Sequence, residues 1–282
     1  MAIRQGLFRT RTFINSFRQF SNTKFLEVTV NDDSGIATVT MKRPPVNSLN
    51  LELLTDFSDV LTDLKKNDAQ GMILTSFSNK VFTAGLDIME MYKPDEGRFK
   101  QFWSMLQEVW MQLYGSSFPT AAAINGHAPA GGCLLAMSCE YRVMVNKFTI
   151  GLNETQLGIA APPWFIKAML NTISRRDTEL ALTTGRLFKT DEALKIGLVD
   201  EVANDKEDAL KKAEAFFDRF ETIAPIARAY TKASLRGADI EDLKKNREKD
   251  LQTTLSAILQ PKVQQGLEFY LAFLKNKKEE SA

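Results

Sequence analysis

The chain of 282 residues has a single histidine, His127, and two cysteines, Cys133 and Cys139. One imidazole excludes a histidine-rich metal centre, and no Cys, His, Asp or Glu spacing matches a metal site. Two cysteines are too few for a disulfide framework and read as small buried residues. No apolar run approaches the roughly twenty residues that a bilayer-spanning helix needs, so no membrane insertion is expected. Neither sign of charge dominates, with 36 basic against 35 acidic residues. Sequence repeats and flexible Gly/Ser linkers are missing as well. What remains is an ordinary globular composition, long enough for one or two domains and a full core.

The N-terminus lacks acid altogether: the first is Glu27. Before it stand Arg4, Arg9, Arg11, Arg18 and Lys24, with Ser16 and Ser21 among them. Phe8, Phe13, Ile14 and Phe17 can share one helical face. Arg-rich, acid-free and amphipathic is the pattern of a mitochondrial transit peptide, without the continuous apolar stretch of a secretory signal. The alternative is a basic disordered tail. Arg18-Gln19-Phe20 before Ser21 looks like a matrix-processing site, so residues 1–20 are expected to be removed and the mature chain to work in the mitochondrial matrix. Their loss takes four arginines and leaves 32 basic against 35 acidic residues. A net negative chain is a poor general binder of nucleic acid.

Periodicity lays out the rest. Leu26–Val30 and Ile36–Met41 alternate apolar and polar around Asp32-Asp33-Ser34-Gly35, a hairpin pattern. Asn50 can cap a helix to about Leu64. Gly71–Ser76, Thr120–Ile124 and Tyr141–Val145 read as strands, and Gly131–Met137 as a helix. Phe99, Phe102, Trp103, Leu106, Val109, Trp110 and Leu113 keep helical spacing, and such an aromatic stripe reads as core. Strand alternating with helix implies a right-handed β-α repeat. From Pro163 onward the pattern is helical, with one helix over Ala209–Phe220. Pro225–Leu235, Leu243–Leu259 and Val263–Leu274 suggest three more, Pro261 separating the last two. Lys275–Glu280 reads as a solvated end.

Chemistry concentrates in Gly151-Leu152-Asn153-Glu154-Thr155-Gln156-Leu157-Gly158. Glu154 stands among glycines and apolar residues. Burial there would raise its pKa, which is how a carboxylate becomes an effective proton-transfer base near neutral pH. Taken alone, such a residue reads as a surface acid in a turn. Two glycine-rich segments upstream change that: Val81-Phe82-Thr83-Ala84-Gly85-Leu86-Asp87-Ile88, and Ala123-Ile124-Asn125-Gly126 running into Ala130-Gly131-Gly132-Cys133. Glycine lets a backbone N–H approach a ligand, and a helix starting near Gly131 would aim unpaired N–H groups at it. Two such groups converging on one oxygen make an oxyanion hole. His127, a loop histidine, reads as structural.

In this order the motifs resemble the enoyl-CoA hydratase/isomerase (crotonase) superfamily, together with Gly197-Leu198-Val199-Asp200 further on. The likeness runs from about Leu26 to the C-terminal helices. Pro44-Pro45-Val46-Asn47-Ser48-Leu49, Ala84-Gly85-Leu86-Asp87 and the Gly151–Ile159 run resemble its mitochondrial Δ3,Δ2-enoyl-CoA isomerase branch. The resemblance implies an α/β fold: a crotonase-like spiral of ββα turns over 21–222, then a helical region over 223–282 serving trimerisation and as a lid. It implies an acyl-CoA thioester substrate, a homotrimer, and no cofactor beyond the CoA that the substrate carries. It assigns Glu154 as base and then acid, and the backbone N–H groups of Leu86 and Gly131 as oxyanion donors. Ala84, Gly85, Leu86, Asp87, Ile88, Gly131 and Asn153 would meet the substrate, with Asp87 holding the oxyanion turn.

The implied reaction moves a double bond in the β-oxidation of unsaturated fatty acids, from a 3-cis- or 3-trans-enoyl-CoA to the 2-trans isomer. Hydratases of the superfamily use two glutamates, the second directly after the Gly-Gly-Cys motif. That position is Leu134, which is expected to leave a dry wall beside the acyl chain. Dienoyl-CoA isomerases carry an acid eight residues after the matching glutamate, and here that position is Pro162. Both departures favour a one-carboxylate isomerase. The alternatives are a hydratase, or a non-catalytic RNA binder of the same fold using a patch such as Lys42-Arg43 or Lys244-Lys245.

Overall fold

The computed structural model describes residues 23–279. The transit-peptide expectation therefore falls outside the described residues. The hairpin forms as expected, β1 (Leu26–Val30) pairing antiparallel with β2 (Ile36–Met41). Asn50 caps α1 (Leu51–Lys66), its side chain accepting from Leu53 N at 3.1 Å. Leu53, Leu54, Phe57, Val60, Leu61 and Leu64 make the buried face of that helix. Then come β3 (Gly71–Ser76), α2 (Glu96–Tyr114), β4 (Thr120–Ile124), β5 (Ala128–Pro129), α3 (Gly131–Ser138), β6 (Tyr141–Val145) and β7 (Thr149–Gly151).

One six-stranded sheet runs β1-β2-β3-β4-β6-β9, with β9 at Glu201–Ala203. Every pair after the hairpin is parallel. Such a sheet must be covered on both faces, and the side-chain period of two divides its residues between them. Met72 and Leu74 of β3, Ala122 and Ile124 of β4, and Met144 of β6 join the main core. Their neighbours Ile73, Ala121, Ala123 and Val143 pack against Ala209, Ala213, Phe216 and Phe217. Ala209 and Ala213 belong to α7 (Lys206–Ala215). The sequence suggested one helix as far as Phe220, but α7 stops at Ala215 and a 3₁₀ turn carries Phe217–Phe220.

A second, small sheet orders β5-β7-β8, with β8 at Phe188–Lys189. The region after Pro163 is thus not wholly helical. After α4 (Pro163–Leu170) and α5 (Arg175–Thr184), β8 precedes α6 (Thr190–Lys195) and β9 follows it. Two- and three-residue strands carry no period of their own, and neighbouring strands recruit them.

The C-terminal helices number two rather than three: α8 (Pro225–Ile258) and α9 (Pro261–Glu279). The apolar spacing lapses around Gly237, but the helix does not. Arg236 donates to the carbonyls of Tyr114 and Ser138 at 3.1 and 2.9 Å, and Ile240 packs on the core. A lone glycine costs a helix only about 1 kcal/mol, which such docking offsets. Pro261 does start a new helix, where a proline is tolerated because its missing N–H would lack a partner anyway. Leu243, Leu251, Leu255 and Ile258 of α8 and Leu267 of α9 pack into the main core.

Candidate active site

Three parallel contacts bring the motif segments together. Leu49 bridges Leu86, Val81 bridges His127, and Pro129 of β5 pairs with Gly151 of β7. Chain segments far apart in sequence therefore stack as successive turns of one spiral. The last pairing sets Gly131 and Asn153 each just past neighbouring strand ends.

The bridge at Leu86 decides where its N–H points. Leu49 N donates to Gly85 O at 2.8 Å and Asp87 N donates to Leu49 O at 3.0 Å. In a parallel ladder the residue between those two turns its own N–H to the opposite side. Leu86 N–H is thereby turned away from Leu49 toward the start of α3. Gly131 is the first residue of α3, so its N–H has no partner within the helix. A Cβ built on Gly131 would lie 3.4 Å from Leu86 N, and one on Gly85 would lie 3.1 Å from Gly131 N. The two N–H groups thus belong to closely neighbouring backbone segments, which the missing Cβ atoms of Gly85 and Gly131 let approach. Gly85 holds φ at +87°, a conformation that L side chains rarely adopt.

Ala130, the cap of α3, holds φ at 49° and ψ at −121°. For alanine this is strained backbone, and it sits at the turn that aims Gly131. Its own N–H donates to Gly151 O at 2.8 Å, fixing the turn to β7. Asp87 pins the other donor segment. One of its oxygens accepts from Met89 N at 3.1 Å and the other pairs with Arg43 at 2.9 Å. Arg43 in turn donates to Ser48 O at 2.9 Å.

Glu154 opens a 3₁₀ turn, Glu154–Leu157, directly after β7. It is 8% exposed, and both its carboxylate oxygens are buried with no hydrogen-bond partner. Burial pushes its carboxyl up to about 7. An acid near 7 is poised to take and return protons at neutral pH.

Glu154 lines a cavity of about 580 Å³. Ala84, Leu86, Asp87, Ile88 and Asn153 line it too. Gly85 and Gly131 are not among its lining residues, although their neighbours Ala84, Leu86 and Ala130 are. Leu134 is also absent from the lining. It is fully buried on α3, its N–H bonded to Ala130 O at 3.1 Å. The expected dry wall is made instead by Trp103, Phe165, Thr254 and Ile258. The sequence reading missed these, because a cavity wall and a core face share one helical period. Pro162 also lines the cavity.

His127 is not part of this lining. Its Nδ1 accepts from Thr149 N at 3.1 Å, which leaves the other ring proton on Nε2, and its ring packs on Phe148. Cys133 and Cys139 are free and buried, and burial pushes both thiols up, Cys139 to about 12. Among the described residues, no group of three His, Cys, Asp or Glu could hold a metal, and no helix is long and apolar enough to cross a membrane.

Comparison with known proteins identifies the family of the chain. A family model described as enoyl-CoA hydratase/isomerase matches residues 31–280. The chain is 44% identical over 271 residues to a rat protein named enoyl-CoA delta isomerase 1, mitochondrial, covering 95% of this chain and 93% of the relative. A short-chain-enoyl-CoA hydratase of Clostridium acetobutylicum is 30% identical, covering 74% of this chain and 80% of the relative. The crystal structure of human mitochondrial delta3-delta2-enoyl-CoA isomerase superposes with a TM-score of 0.87 at 40% identity. It covers 90% of this chain and all of the human one.

Proposed function

The chain belongs to the enoyl-CoA hydratase/isomerase family, and we infer from that membership and from its one buried carboxylate that it is an enoyl-CoA delta isomerase of mitochondria. It converts 3-enoyl-CoA thioesters to the 2-trans isomers. The observation that carries the residue roles is Glu154: buried, without a partner, and raised to about 7 in a mostly apolar cavity.

The C2 proton of a 3-enoyl thioester is acidic because its loss gives a dienolate spread over thioester and alkene. The Glu154 carboxylate takes that proton. The electron pair of the C2–H bond moves toward the thioester oxygen, where negative charge collects. The N–H groups of Leu86 and Gly131 donate to that oxygen. The protonated Glu154 then returns its proton at C4, and the double bond re-forms between C2 and C3. Nothing is consumed and the carboxylate is restored. Each oxyanion donor contributes about 3 kcal/mol to lowering the barrier. Burial keeps water from Glu154 and from the dienolate.

Hydration would require a water molecule held and activated by a second carboxylate. Leu134 supplies none, and among the described residues Glu154 and Asp87 are the cavity's two acids. Asp87 is committed to Arg43 and Met89. The greater identity to the rat isomerase than to the clostridial hydratase points the same way.

The family reading also carries the mitochondrial matrix as the working compartment and a homotrimer as the assembly. The exposed Ile226, Tyr230 and Leu235 of α8 are the surface we expect the trimer to bury, which sedimentation of the purified chain reads. The function is tested by three assays on one preparation: isomerisation of 3-hexenoyl-CoA, hydration of crotonyl-CoA, and RNA retention on a filter. Isomerisation well above hydration, with no RNA retained, is the expected result. Hydration as fast as isomerisation would make the protein a hydratase.

A further inference from the structure

The isomerase mechanism makes no use of Asp250, yet this residue collects three buried donors. Its Oδ2 accepts from Trp103 Nε1 and from Gln107 Nε2, both at 2.8 Å, and from Trp164 Nε1 at 3.2 Å. Trp103 and Gln107 belong to α2 and Trp164 to α4, while Asp250 stands on α8. One carboxylate oxygen thus ties three helices at a single point. Each of the three also walls the cavity: Trp103 from α2, Phe165 beside Trp164 from α4, and Thr254 and Ile258 from the following turns of α8. The Trp164 and Phe165 rings meet edge to face at 4.5 Å, and Thr254 Oγ1 donates back to Asp250 O at 2.9 Å. Most of the walls held in this way are buried. Trp103, Phe165 and Ile258 are buried, whereas Met89 and Leu274, which line the same cavity, are 65% and 41% exposed.

We propose that Asp250 sets the length of acyl chain the cavity accepts, by clamping α2, α4 and α8 around its closed end. This rests on the reading of the cavity as the acyl site. A carboxylate can hold three N–H donors at once because its charge strengthens each bond. With the clamp intact the closed end keeps its size, and a chain too long for it must displace packed aromatic rings. Weakening the clamp lets α8 yield and admits further methylenes, each worth about four-fold in affinity when buried. Asp250 is a positioning residue and does not itself touch the substrate.

The test measures kcat and KM for 3-hexenoyl-, 3-dodecenoyl- and 3-hexadecenoyl-CoA, with affinities for the saturated acyl-CoAs of the same lengths. Wild type is compared with Asp250→Asn and with Ile258→Ala, which enlarges the same end without touching the hydrogen bonds. Trp164→Phe keeps a ring but removes one donor, and it carries the test if the Asn variant does not fold. Relative to wild type, the kcat/KM ratio of hexadecenoyl to hexenoyl should rise about five-fold or more in Asp250→Asn and Ile258→Ala. It should rise less in Trp164→Phe, and the change should sit in KM. An unchanged ratio, or an equal fall at every length alongside lowered thermal stability, overturns the proposal and leaves Asp250 a purely structural clamp. The saturated acyl-CoAs read the length limit without turnover. A wild type that binds them but isomerises nothing would therefore overturn the isomerase reading instead.

Discussion

Glu140, half-buried, and Glu154, buried, are both glutamates withdrawn from water, and they have opposite chemistry. Burial pushes the Glu140 carboxyl up, but Lys232 and Arg228 more than reverse it and hold it below its ordinary value. Glu140 pairs with Arg228 through one oxygen; the other accepts from Lys232 at 2.9 Å and Thr120 N at 3.1 Å. Glu154 has no such company: burial outweighs the one opposing contribution, from its own backbone N–H, and its carboxyl rises to about 7. The cluster around Glu140 fastens α8 to the spiral, and both Glu140 oxygens have partners. The site around Glu154 carries an unpartnered acid and, in Ala130, strained backbone. The contrast is between a carboxylate held ionised by its partners and one left without them beside a cavity.

The largest effect expected from breaking this contrast is on turnover. Glu154→Gln keeps the shape and removes the base, and should lower kcat for 3-hexenoyl-CoA by about 10³-fold or more while CoA-ester affinity is largely kept. Steady-state kinetics beside a binding titration checks this. Turnover within a few-fold of wild type would sink the assignment.

On the other side, Glu140→Gln leaves the Lys232 and Arg228 charges buried opposite a neutral amide. Stability should fall by about 3 kcal/mol in denaturant unfolding, while kcat per folded molecule stays within a factor of about two. A loss of kcat at unchanged stability would mean that the two regions have been assigned the wrong way round.

A smaller effect distinguishes the two glutamates by sign. Folded Glu154 holds its proton up to about 7, against an ordinary value of 4.5. Between these values the folded state binds more protons than the unfolded one, so stability falls as pH rises through the window. Above about 7 the full cost is present, and Glu154→Gln removes it. The variant should be more stable than wild type by on the order of 1–3 kcal/mol at slightly alkaline pH, the gain shrinking toward pH 4.5. A variant less stable than wild type at every pH contradicts the unpartnered acid.

The smallest concerns Ala130. Glycine there relieves the positive φ, so Ala130→Gly should be about 0.5–1 kcal/mol more stable in thermal unfolding. It should also be slower by a few-fold, because Gly131 N–H is aimed less firmly.

The site was more legible in sequence than its walls. Leu86, Gly131 and Glu154 lie in short glycine-bearing segments whose chemistry is local, and the structure stacks those segments. Trp103 was read as core because the period of α2 is the same whether a residue faces another helix or a cavity. Glu140 drew no attention, since its partners Arg228 and Lys232 lie 88 and 92 residues away and leave no local signal. Leu134 was placed beside the acyl chain, but α3 turns it fully into the core. The division of α8 into two helices failed because Arg236 docks on the carbonyls of Tyr114 and Ser138, and no periodicity records such a contact.

The most direct test of Glu154 as an unpartnered base is the pH dependence of kcat/KM for 3-hexenoyl-CoA, which reports the free enzyme. Activity should rise with pH through a single deprotonation with its midpoint at about 7, since the base works ionised. A midpoint at the ordinary carboxylate value of 4.5 would mean that Glu154 is solvated or paired in the working enzyme, and would contradict the account.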